Sequence, residues 1–173
     1  MNEFIRHLEA CSGYITLGMY EDAWNELESL PPEHRANVDV IELRLEIYRA
    51  LGKWESARVL AESMAKHDPS NPNWWIMWAY SLRREKSIHD AREVLRQASL
   101  HHPGVALIQY NLACYACVLG EVKEAHRFLT IAFALDAELK KVALNDPDLD
   151  NIFGEMSSQS GHVSANRSRP ELN

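Results

Sequence analysis

The chain has 173 residues, 46% of them apolar, with seven glycines, seven prolines, three cysteines and a formal charge of −7. One domain with a substantial core is expected at this size, and scarce glycine and proline without β-branched runs point to helix. The acidity excludes nucleic acid as a main partner, since phosphate contacts need a broad basic face, and three cysteines are too few for a disulfide scaffold and fit a reducing compartment.

The chain begins "MNEFIRHLEACSG", with charges where a secretory leader needs an apolar stretch, and no window reaches the ~20 apolar residues of a membrane span. A soluble, cytoplasmic protein is expected. Residues 1–46 hold ten acids and three bases, 47–110 six acids and nine bases, and 111–153 seven acids and four bases. Only the middle third is electropositive, so an acidic ligand would be steered there.

An internal period runs through these segments. Ala23, Ala57, Ala91 and Ala125 are spaced by 34, and four further columns keep the offset: Gly18, Gly52, Lys86, Gly120; Tyr20, Trp54, Ile88, Val122; Leu27, Ala61, Leu95, Leu129; and Leu30, Met64, Ala98, Ala132. "VIELRLEIYRALGKWESARVLAESMAKHDP" shows the unit best, with apolar residues at three- and four-residue spacing up to Leu51, Gly52 at the turn, and a second such run before Pro69. Each helix is about 13 residues long, near the ~12–15 below which isolated helices are marginal, so the helices must stabilise one another by stacking.

This 34-residue helix–turn–helix pattern resembles the tetratricopeptide repeat, with its small residues at helix contacts, glycine at the turn and proline at the end. Anchored on the alanine column, the units run 4–37, 38–71, 72–105 and 106–135. The first keeps Cys11, Tyr14, Gly18, Tyr20 and Ala23, but Pro31-Pro32 cuts its second helix short. The second has Tyr48, Gly52, Trp54, Ala57 and Pro69, with Arg44 and Leu45 standing where a close helix approach wants Leu and a small residue. The third is the fullest, with Trp75, Trp78, Ala79, Leu82, Ala91, Ala98 and Pro103; Trp75 and Trp78 are expected in the core and Trp74 on a half-buried seam. The fourth has Leu112, Ala113, Gly120, Ala125 and Ala132. Residues 136–153, with Leu139, Val142 and Leu144 at near-helical spacing and a break at Asp146-Pro147, read as a cap for the last repeat, and 154–173 as a disordered polar tail.

The resemblance implies an all-α, right-handed superhelix of four repeats plus a cap, forming a single domain over 4–153, and a non-catalytic interaction module. It also implies a concave face built from first helices. On that face fall Ile5, Leu8, Ser12, Ile15 and Thr16 of the first unit, Asp39, Glu42, Glu46, Arg49 and Ala50 of the second, Asn73, Ile76, Tyr80, Arg83 and Arg84 of the third, and Leu107, Tyr110, Cys114, Cys117 and Val118 of the fourth. The set is mixed, apolar in the first unit and mainly acidic in the second. Arg49, Ile76, Tyr80, Arg83, Arg84 and Tyr110 form the expected partner-binding set, placing capture of a peptide or helix in the groove over units two to four, with arginines for an acidic stretch and tyrosines for apolar contact. Neither frame of the chain supplies the charges of the repeats that clamp heat-shock chaperone carboxylates: one offers Leu8, Ser12, Leu43, Asn73 and Met77, the other Glu42, Glu46, Met77, Leu107 and Asn111.

Other signals are weaker. Asp146, Asp148 and Asp150 alternate as in a calcium loop, but Pro147 intrudes and Asn151 and Ser157 stand where Gly and Glu are needed, so a helix-terminating segment is expected and no metal. Cys114 and Cys117 fall inside a helix without a second pair and read as packing residues. No histidine pair or framed nucleophile appears, so no cofactor and no catalysis are expected. The partner is expected to be a protein or peptide, with self-association through an end repeat or the convex face as the alternative.

Overall fold

A computed structural model of the chain describes residues 3–153; the tail expected to be disordered, 154–173, lies outside the described residues. Helices α1 (Glu3–Thr16), α2 (Tyr20–Glu28), α3 (Val38–Ala50), α4 (Trp54–His67), α5 (Pro72–Glu85), α6 (Ile88–His101), α7 (Ala106–Val118), α8 (Val122–Leu135) and α9 (Leu139–Ala143) follow one another, with 3-10 turns at Pro32–His34 and Pro147–Leu149. No strand occurs among the described residues, and no described helix is long and apolar enough to cross a membrane.

Local chemistry fixes where these helices start and stop. The Asn37 side chain accepts from the Asp39 amide at 2.9 Å and that of Asn71 from the Asn73 amide at 3.0 Å, each covering an N–H that the first helical turn leaves unpaired. Gly18, Gly52 and Gly120 have φ of 74°, 66° and 77°, the left-handed region that a Cβ disfavours. In the second turn the Lys53 amide returns to the Tyr48 carbonyl at 2.8 Å and that of Gly52 to Arg49 at 3.2 Å, the paired closure of a glycine-ended helix. Lys86 takes the glycine column's place in the third unit and keeps negative φ, at −130°. There the Lys86 and Ser87 amides both return to Leu82, so that turn closes by another route.

The described chain forms two compact units, residues 1–101 and the part from His102 onwards. In the first, Cys11, Ala23, Leu27, Leu30, Val40 and Ile47 are buried together, with Phe4, Leu8, Tyr14, Trp24 and Leu43 packed around them. Ala57 and Ala91 are fully buried, so the small-residue column marks places where helices touch. α4 packs chiefly on α5 and only lightly on α3. Arg44 of α3 lies with its guanidinium 5.3 Å from the Trp24 ring and hydrogen-bonds Glu28 at 3.0 Å, contacts made toward α2.

Trp75 is in the core as expected, whereas Trp74 and Trp78 exchange their expected places. Trp74 is 1% exposed and Trp75 8%, whereas Trp78 is only half-buried. α5 packs against both α4 and α6, so two of its sides are covered, and a single apolar stripe undercounts the interior. Trp75 donates to the Pro69 carbonyl at 3.1 Å and stacks on His101 at 5.5 Å. The buried indole N–H of Trp74 meets no acceptor in hydrogen-bond geometry. It lies close enough to Asp68 to help hold that carboxyl below its usual range, a lesser effect than the Ser70 hydroxyl's.

Arg58 ties α4 to α5 through Glu85 and pairs with Glu62 of its own helix at 3.0 Å; the Glu85 contact chiefly raises the guanidinium's affinity for its proton. All three side chains are partly buried, so Arg58→Met leaves Glu85 without its cation, while Glu62 keeps Lys66 at 2.6 Å. A loss of about 1–3 kcal/mol is expected in denaturant titration, by the cost of a charged group deprived of its partner.

In the second unit, α7 is buried nearly all round, from Ile108 to Cys117 with Asn111 as the exception, and packs on α8 and on the Pro147–Leu149 turn. Cys114 and Cys117 are interior, as packing residues should be. The segment after α8 buries Ala143, Leu149 and Ile152, and leaves Val142 and Leu144 exposed rather than seated as expected of a cap.

Candidate functional site

Five of the twenty residues assigned to the concave face line one cavity. α1 contributes Leu8, Glu9 and Ser12, and α3 contributes Asp39, Glu42, Leu43 and Glu46, to a cavity of about 510 Å³. Five of these seven stand at the positions the repeat pattern assigned to the groove; Glu9 and Leu43 flank them. The two leucines are half-buried and the four acids exposed, so an apolar floor carries a carboxylate rim.

The residues of the expected binding set differ in their surroundings. Arg49 is exposed and faces Glu46 at 3.8 Å. Ile76 and Arg83 are half-buried. Tyr80 and Arg84 form a corner with Trp54: the guanidinium sits 5.3 Å from the Tyr80 ring and 5.8 Å from the Trp54 ring, and donates to the Tyr80 hydroxyl at 3.3 Å. Trp54 was read from the sequence only as a member of a repeat column, which gave no signal of its share in this corner.

Tyr110 is a correction. It is 4% exposed and its hydroxyl donates to Asp146 at 2.7 Å, so it presents no ring to a ligand. The same Asp146 carboxylate receives the Cys114 thiol at 3.6 Å and the Asp148 amide at 3.0 Å. Cys114, Asp146 and Asp148 bring ligand atoms within 4.8 Å of one another, yet Asp146 is committed as an acceptor that caps the Pro147–Leu149 turn and anchors it to α7.

One arrangement resembles a catalytic relay and fails on geometry. His7 Nδ1 lies 2.6 Å from Glu26 and 3.5 Å from the Ser29 hydroxyl. Both neighbours meet the same ring nitrogen, whereas a relay needs one on each, and the Ser29 hydroxyl already donates to the Glu26 carbonyl at 2.6 Å.

Burial and nearby carboxylates push the Cys11 thiol from 9.0 up to about 11, and burial raises Cys117 and, with the Asp146 contact, Tyr110 above their ordinary ranges. Each group holds its proton more tightly folded than unfolded. The stability this linkage carries is complete below the ordinary thiol value and is lost as pH rises through the folded one. Thermal melts should therefore fall progressively between pH 9 and about 11, and Cys11→Ala should flatten part of that decline.

Residues 38–81 match the family described as tetratricopeptide repeat, and they cover α3, α4 and most of α5. The chain therefore carries a tetratricopeptide repeat within residues 38–81. Its fold is similar to two solved structures of MamA, itself a repeat protein of this class: "MamA MSR-1 C2", with a TM-score of 0.62 at 20% identity over 76% of each chain, and "MamA AMB-1 C2221", with 0.59 at 21% identity over 75% of this chain and 76% of that one. No curated protein matches. Tetratricopeptide-repeat proteins are interaction scaffolds, generally non-catalytic, whose partners are proteins.

Proposed function

We propose that the repeat protein holds a peptide or helix of a protein partner in the groove between α1 and α3. The observation that carries this reading is the convergence of Leu8, Ser12, Asp39, Glu42 and Glu46, all groove positions of the repeat, on one cavity of about 510 Å³. A photo-crosslinking amino acid at Ser12 should capture a partner in the native host, and one at Val59, exposed on α4, should not. Adducts at Val59 alone would contradict the groove.

A second contact zone is favoured by the Trp54, Tyr80 and Arg84 corner, with a carboxylate as its ligand and Arg49, Ile76 and Arg83 as the other proposed members of the set. Arg84→Glu should weaken binding of the crosslinked partner severalfold if this corner contributes. Self-association is supported by exposed Leu135, Val142 and Leu144 near the end of the second unit. Light scattering that stays monomeric across concentration removes it.

A further inference from the structure

The groove's charge has a sign opposite to the one expected from the arginines of the middle third. Glu9 of α1 and Asp39, Glu42 and Glu46 of α3 all line it, and no basic side chain does. Arg49 reaches Glu46 only at 3.8 Å, and Glu9, Asp39 and Glu42 meet no cation within ion-pair distance among the described residues.

We propose that this groove takes a cationic segment of a protein, with lysine or arginine side chains against the carboxylates and apolar ones on Leu8 and Leu43. The inference rests on the groove being the binding face and adds the chemistry of its occupant. Four carboxylates on a concave wall hold a negative potential that draws in cations and repels acidic chains, and no arginine fork stands there to reverse it. The carboxylates are strung along two helices rather than gathered about a point: the described residues bring three metal-ligating atoms together only at Cys114, Asp146 and Asp148. A row of separated charges suits successive side chains of a polymer better than a single metal ion. A cavity of about 510 Å³ holds a few side chains, and its half-buried leucines give an amphipathic segment somewhere to place its apolar residues.

The test uses two labelled peptides of one design, Lys and Leu at helical spacing and the same sequence with Glu for Lys, followed by fluorescence anisotropy with the full chain. The Lys peptide should bind and the Glu peptide should not, and raising salt from ~50 to ~500 mM should weaken the Lys complex, since exposed charges are screened over a shorter range. Glu42→Gln with Glu46→Gln should weaken it about tenfold, whereas Asp90→Asn with Glu93→Gln, exposed acids of α6, should leave it within about twofold. Equal loss from the α6 pair means general attraction to an acidic protein and overturns the proposal. A Glu peptide that binds, and is displaced by a bulky Ser12→Trp, overturns the sign and leaves the groove standing. Binding that neither groove substitution affects overturns both.

Discussion

Trp74→Ala is expected to cost about 3–5 kcal/mol, the range for a large aromatic removed from a packed interior. The side chain is 1% exposed and is the bulkiest of those fully buried, on a helix contacted by both its neighbours, so the void cannot be filled without moving α4 or α6. Trp78→Ala, at a half-buried site beside Lys66, should cost clearly less. Trp74→Phe separates the causes: it loses ring volume but also removes an N–H that meets no acceptor, so it should retain much of the stability that alanine loses. Urea titration of the three variants orders them; Trp78→Ala as the most damaging would restore the sequence-based assignment.

Ala91→Leu carries the second large effect, a loss of about 1–3 kcal/mol from overpacking. Ala91 is fully buried at the start of α6, which packs on α5, and three added carbons there must push one helix from the other. Leu100→Ala, on the same helix at 83% exposure, is the matched control and should change little. Equal effects from the two would mean that the alanine column reflects helix propensity rather than helix contact.

The repeat was legible because its demands are local and recur at one spacing. An alanine that must let two helices touch and a glycine that must adopt positive φ each exclude most other residues, and both return every 34 positions. Lys86 shows the limit of that logic, since its turn closes without the left-handed residue. Tyr110 was misread for a different reason: the group that covers it, Asp146, lies 36 residues further on, after the period has ended. The groove residues were visible as positions but not as a site. Their carboxylates lack the arginine-and-tyrosine signature of a hot spot, and the cavity exists only because α1 and α3 bring two separate rows together.

Hydrogen exchange of the whole chain, alone and with the partner captured at Ser12, tests the central claim most directly. Slowed exchange concentrated in α1 and α3, with α6 unchanged, is the predicted result. Protection confined to α6 or to the second unit, with α1 and α3 exchanging as freely as before, would contradict it.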